Sequence, residues 1–176
     1  RICDRGASHK NRAGVRLKHR RCVTPLMGPD VRIAIHRLDE QASLPSRGSS
    51  LAAGWDLHAL RGASIPRGDI KMITTGLSMA LPVGFEAQIR ARSGLARRGL
   101  IIPNGPGTID ADYRGEIKVL LLNLSAEDPF VIEKGERIAQ MIIQRVPEVM
   151  FEEVDDLDTL GKTSRGKGGF GSTGRQ

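Results

Sequence analysis

The chain has 176 residues, a length suited to one domain, and only 3% of them are aromatic, so the core it buries must be aliphatic. Its formal net charge of +7 is confined to one end: residues 1–26 hold eight Lys and Arg against the lone acid Asp4, while the remainder balances 19 bases against 19 acids. No apolar run approaches the roughly 18 residues of a membrane span, and with both cysteines at positions 3 and 22 the rest of the chain has neither a disulfide framework nor a cysteine zinc site.

Residues 1–26 lack hydrophobic patterning. They read as a nucleic-acid-binding arm, a targeting peptide, or non-native sequence ahead of a true start at Met27. In each case they are expected to be disordered. From residue 31 the pattern changes. Residues 31–37 alternate, with Val31, Ile33 and Ile35 on one face, as in a half-buried strand. Residues 44–50 are a loop rich in breakers. Strands are predicted at 70–74 and 77–81, on either side of Gly76, and at 85–91. Ser93 is placed to cap a short helix over 95–98 that Gly99 ends. Residues 116–124 are apolar on both faces, which fits a strand inside a sandwich or barrel, and 130–132 and 137–146 are two more strands. The acidic stretch 152–158 leads into a glycine-rich tail, 161–176, with no apolar repeat to dock it, so it should move freely without a ligand. Short strands separated by Gly and Pro turns point to an all-β sandwich or barrel over residues 27–160.

The densest chemistry lies at 107–115, Gly-Thr-Ile-Asp-Ala-Asp-Tyr-Arg-Gly. Two carboxylates, Asp110 and Asp112, stand beside the only tyrosine, Tyr113, with glycine at both ends. Read as a tight β-hairpin, the segment holds Asp110 at a pocket floor with the ring three residues away. A carboxylate, a ring and free backbone amides suit recognition of a base and sugar together with activation of a water. Taken alone, Asp110 could as well stabilise a turn, Asn104 in Pro-Asn-Gly-Pro could be turn chemistry, and Tyr113 could be core packing. Asp112, two residues on, is expected to be structural.

Four further segments accompany it in order: Ala53-Gly-Trp-Asp-Leu57, Arg92-Ser-Gly-Leu-Ala96, Gly135-Glu-Arg-Ile-Ala-Gln-Met141, and Arg165-Gly-Lys-Gly-Gly-Phe-Gly-Ser-Thr-Gly174. Together the five resemble the motifs of the trimeric deoxyuridine triphosphate nucleotidohydrolases (dUTPases) over roughly residues 31–176. The departures are small: Ala91 stands where the family usually has Pro, and Trp55 where it often has Leu or Tyr.

The resemblance implies a jelly-roll-like β barrel, a homotrimer with active sites between subunits, and hydrolysis of dUTP to dUMP and pyrophosphate with Mg²⁺; the absence of cysteine beyond the leader makes a reducing cytoplasm the natural compartment. It makes Asp110 the general base that activates water against the α-phosphorus. It lays the Tyr113 ring under the deoxyribose, where a 2′-hydroxyl would clash. It assigns Asn104, with Thr108 and Ile109, to a narrow uracil slot, and adds Lys118 to the substrate contacts. Arg92, Ser93, Gly94 and Gln140 become phosphate contacts, Ser93 as part of an anion site at a helix start. Asp56 becomes a carboxylate linked to the metal through water. The tail becomes a lid, in which Phe170 stacks on uracil and Arg165, Ser172 and Thr173 hold the terminal phosphates. Each of these has a plainer reading, a helix cap for Ser93 and an outward strand position for Gln140 among them. The tail lacks the spacing of a P-loop. The four histidines, His9, His19, His36 and His58, show no ligand spacing. Two alternatives stand beside this reading. One is a dCTP deaminase of the same superfold, against which Gly94 after Ser93 and the terminal lid both count. The other is a non-catalytic nucleotide sensor or nucleic-acid-binding regulator, against which the intact Asp110 counts.

Overall fold

The structure, a computed structural model, describes residues 31–168. The basic leader, residues 1–26, and the lid residues Phe170, Ser172 and Thr173 lie outside the described residues. The strands are β1 (Ala34–Arg37), β2 (Trp55–His58), β3 (Ala63–Ile65), β4 (Ile70–Thr74), β5 (Leu77–Ala80), β6 (Phe85–Arg90), β7 (Leu100–Ile101), β8 (Gly107–Ile109), β9 (Lys118–Asn123), β10 (Phe130–Ile132) and β11 (Arg137–Arg145). One α-helix, α1 (Ser93–Arg97), and a 3₁₀ turn at Leu157–Leu160 complete the described elements. No helix among the described residues is long and apolar enough to cross a membrane.

The strands pair antiparallel in four small sheets: β1-β5, β10-β3, β2-β11-β6-β8 and β4-β9-β7. Most neighbours are far apart in sequence, as in a barrel whose chain crosses between sheets rather than folding back on itself. The core is aliphatic as composition required: Leu57, Ile65, Leu77, Ile117, Leu121 and Ile138 are essentially inaccessible, with Phe130 the one fully buried ring among the described residues. Burying each such side chain contributes about 1.5–3 kcal/mol. The buried amide of Asn123 is fully satisfied. It donates to the carbonyls of Ile65 and Glu127, both at 2.9 Å, and accepts from the backbone N–H and hydroxyl of Ser125. An unmet amide there would cost about 1–3 kcal/mol.

Strongly patterned strands fall where the sequence puts them, within a few residues. Val31, Ile33 and Ile35 are half-buried while Arg32 and Ala34 are exposed. Three expectations are corrected. The segment 107–115 is not a tight hairpin: β8 pairs with β6, whereas the apolar strand that follows, β9, pairs with β4 and β7. The turn itself is closed by the N–H of Tyr113 donating to the carbonyl of Asp110 at 3.2 Å. The β9 run is not buried on both faces. Val119 and Leu121 are inside, while Leu120 and Leu122 face outward beside Met72 and Ile70 of β4. Finally, Ser93 does not cap α1. Arg92 occupies the N-cap with extended backbone and no side-chain cap bond, so Ser93 is the first helical residue. Gly99 does end the helix, at φ +89°. A Cβ there would stand 2.7 Å from the Cα of Ser125, so the turn requires glycine on both counts.

Candidate active site

The site is organised by the sheet β2-β11-β6-β8. Register places Asp56 of β2 opposite Gln140 of β11, and Gln140 opposite Arg90 of β6. On the β2 edge an open cavity of ≈ 390 Å³ is lined by Asp56, Arg92, Ser93, Gly94, Arg137 and Gln140, together with the loop ahead of β2. Four of the sequence-predicted phosphate residues, Arg92, Ser93, Gly94 and Gln140, therefore meet in one pocket with Asp56.

Its electrostatic centre is a closed ring of contacts. Asp56 Oδ1 accepts from Arg92 Nε at 3.1 Å, and Asp56 Oδ2 accepts from Arg137 Nη1 at 3.3 Å. Arg92 Nη1 then donates to the backbone carbonyl of Arg137 at 3.0 Å. The Asp56 side chain is only 15% exposed, so this is a half-desolvated ion-pair network and not a solvated surface pair. Gln140 extends it: its Nε2 donates to the Ala91 carbonyl at 3.2 Å, which ties β11 to the start of α1. Gly54 makes room for that amide. A Cβ at Gly54 would come within 2.6 Å of Gln140 Oε1.

Asp110 lies elsewhere. β8 is the opposite edge of the same sheet, three strand spacings or roughly 14 Å from β2. Ile109 and Ala111 on either side pack against the core, so the exposed carboxylate of Asp110 between them is pushed outward. Thr108, on β8, is exposed as well, and Asn104 is exposed with its Nδ2 beside the Gly107 backbone. Tyr113 is 42% exposed, with its hydroxyl donating to the Glu116 carbonyl at 2.9 Å. Lys118 is paired with Glu116 at 3.7 Å, and the same Glu116 accepts from the Gly76 N–H at 2.9 Å. Arg165, in the tail, donates to the Gly168 carbonyl at 2.8 Å and is exposed. One chain thus presents two separate clusters, a guanidinium-lined pocket and a carboxylate–tyrosine turn, which it does not bring together.

Two residues escape the sequence reading. Arg137 sits inside a quoted motif, yet a lone arginine at a strand start reads as a solvated end. His58, two residues after Asp56 and opposite Arg137 in register, has a buried Nδ1 with no partner among the described residues. Burial lowers its pKa, with Asp56 pulling the other way and Arg137 and Arg92 adding to the lowering.

Comparisons with known proteins identify the family. The family model dUTPase matches residues 40–174. The chain belongs to the dUTPase family. Deoxyuridine 5'-triphosphate nucleotidohydrolases of Corynebacterium glutamicum and Rickettsia felis are each 53% identical to it, over 144 and 146 residues, spanning 81% of this chain and 95% and 96% of theirs. Among solved structures, a dUTPase of Staphylococcus bacteriophage 80alpha with dUpNHpp superposes with a TM-score of 0.72 at 23% identity, covering 82% of this chain and 99% of that one. The dUTPase of S. aureus phage phi11, whose structure describes the coordination of a structural Mg(II) ion, gives 0.65 at 20% identity over 72% of this chain and 99% of that one. These last two establish the dUTPase barrel. The chain is a nucleotide hydrolase, a dUTP diphosphatase.

Proposed function

We propose that hydrolysis of dUTP to dUMP and pyrophosphate proceeds by attack of a water on the α-phosphorus, with Asp110 taking its proton. The observation that carries this reading is the split site. Phosphate contacts and base lie on opposite edges of one sheet, so a second copy of the chain must supply the other half. The reading therefore includes a homotrimer whose active sites are shared. In it, Arg92, Ser93, Gly94 and Gln140 hold the phosphates, Asn104, Thr108 and Ile109 bind uracil, and Tyr113 carries the sugar. Lys118 adds a further substrate contact. Arg165, Phe170, Ser172 and Thr173 close over the bound nucleotide, within a lid formed by residues 161–176. The rate gain comes from positioning and from charge neutralisation at the phosphates.

The donor set fits Mg²⁺ in an outer role. No cluster of three His, Cys, Asp or Glu that could cage an ion occurs among the described residues. An ionised carboxylate has about four acceptor positions, and the two guanidiniums take one on each oxygen of Asp56. The remaining positions can accept from waters of an ion held mainly by the substrate phosphates. Bound there, Mg²⁺ would neutralise charge on the triphosphate. Both cysteines lie in the leader, which fits a reducing compartment, and we place the enzyme in the cytoplasm.

The test compares pyrophosphate release from dUTP, dCTP, dTTP and UTP with Mg²⁺ present. Release from dUTP exceeding the others by orders of magnitude is expected. Ammonia release from dCTP, or equal rates on UTP, would overturn the assignment of uracil and sugar contacts. Mixing Asp110→Asn chains with Arg92→Met chains tests the shared site: activity should reappear in the mixed assemblies, and its absence would place both halves within one chain.

A further inference from the structure

We propose that Arg137 is a positioning residue for the triphosphate: by sharing the Asp56 carboxylate it holds Arg92 in its working orientation and keeps the pocket net cationic. The inference rests on the reading of this pocket as the phosphate site and adds to it a residue outside the phosphate contacts assigned there.

Three contacts close the ring, and Arg137 contributes to two of them, one through its guanidinium and one through its carbonyl. They take Arg92 by Nε and Nη1. The planar guanidinium is thereby fixed in two places, and its Nη2 group, with no protein partner among the described residues, is left for a ligand. The charge count gives the second part of the argument. Asp56 facing Arg92 alone would make a neutral pair, and its second oxygen would repel an incoming phosphate. With Arg137 on Oδ2, two cations share one anion, and the pocket retains one positive charge. Arg137 is itself 53% exposed, against 27% for Arg92 and 15% for Asp56. Water therefore screens any direct pull of Arg137 on a ligand, and its influence passes through the half-buried carboxylate.

The experiment uses the full chain, with steady-state dUTP kinetics and inhibition by inorganic pyrophosphate as the probe of the pocket. The variants are Arg137→Met, Arg137→Gln, Arg137→Lys, Arg92→Met and the double variant Arg92→Met/Arg137→Met, each checked by thermal melting. Loss of a charge-assisted contact predicts that Arg137→Met raises KM for dUTP and Ki for pyrophosphate about tenfold, with kcat changed by less than about threefold. Arg137→Lys should recover most of the affinity. Arg137→Gln, which keeps a donor near Oδ2 but not the charge, should stay weak, and it carries the test if the Met variant does not fold. In the Arg92→Met background the hold on Arg92 is already gone and only the charge effect of Arg137 remains, so the second substitution should cost clearly less than the roughly tenfold it costs in the parent. Parent-like Ki in Arg137→Gln would overturn the charge argument. Additive losses in the double variant would make Arg137 a direct phosphate contact and overturn the positioning role. Unchanged pyrophosphate inhibition in Arg92→Met would instead show that the pocket is not the phosphate site, and the inference would fail with that reading.

Discussion

At the β2 edge of the four-stranded sheet, Asp56 has both carboxylate oxygens engaged by guanidiniums and is mostly buried. At the β8 edge, Asp110 is exposed and its carboxylate has no side-chain partner among the described residues. The two aspartates differ in what surrounds them and therefore in what they can do. A carboxylate between two guanidiniums has one acceptor position on each oxygen committed to holding them. A carboxylate held outward by Ile109 and Ala111, with free lone pairs, is available to take a proton from water. The Asp56 pocket is built within one chain, whereas Asp110 has no side-chain partner among the described residues to fix it, so its proposed role as base depends on a substrate supplied from outside this edge.

The sharpest way to break this comparison is Asp110→Asn. The amide preserves shape but cannot accept the proton, so kcat should fall by about 10²–10⁴-fold, the usual scale of general-base catalysis. Nucleotide binding by calorimetry should be nearly unchanged. Turnover near the parent level would remove Asp110 from its role. Truncation ahead of Arg165 comes next in size. Arg165 is exposed and bonds only within its own turn among the described residues. Loss of the tail should leave melting unchanged while lowering kcat/KM by roughly a hundredfold, as expected when a closing segment that positions substrate is removed. Full activity in the truncated protein would end the lid reading.

How much of this was legible in the sequence follows from the same contrast. Strands with strong alternation or long apolar runs, such as β6 and β11, are readable because one face is buried and periodicity reports burial. β3, β7 and β8 are two or three residues long, too short for any period, and they form only because neighbouring strands offer them edges. The aspartates were identifiable by motif but their partners were not. The ring around Asp56 joins positions 56, 92 and 137 through three separate elements, and no local spacing announces it. The pairing of β8 with β6, and not with β9, was misread for the same reason. Glycine at both ends of 107–115 suggests a hairpin, and only the long-range register decides otherwise.

A smaller effect tests whether the ordered half of the site carries a cost. His58 Nδ1 is buried without a partner among the described residues, and its folded pKa is lowered from 6.5 chiefly by burial. The unfolded chain therefore takes up a proton at a higher pH than the folded one. The stability at stake is fully present above pH 6.5 and is lost as pH falls from there through the lower folded pKa. His58→Gln removes that proton uptake. Its melting temperature relative to the parent should rise as pH is lowered from 7 toward 5, and a pH-independent difference would show that the imidazole does not titrate differently on folding.

The smallest expected effect lies outside both half-sites. Residues 1–26 carry the whole formal charge of +7, and the remaining chain is neutral. The half-sites and the core that positions them are built from residues beyond the leader. Deleting 1–26 should therefore leave circular dichroism and kcat/KM for dUTP unchanged. What it should remove is retention on DNA at low salt. Binding through eight basic residues is dominated by counterion release, so it should be weak and vanish at moderate salt in the parent. A large loss of dUTP hydrolysis on deletion would mean that the leader takes part in the site. The contrast between a self-sufficient pocket and an exposed base would then have to be redrawn to include a third contributor.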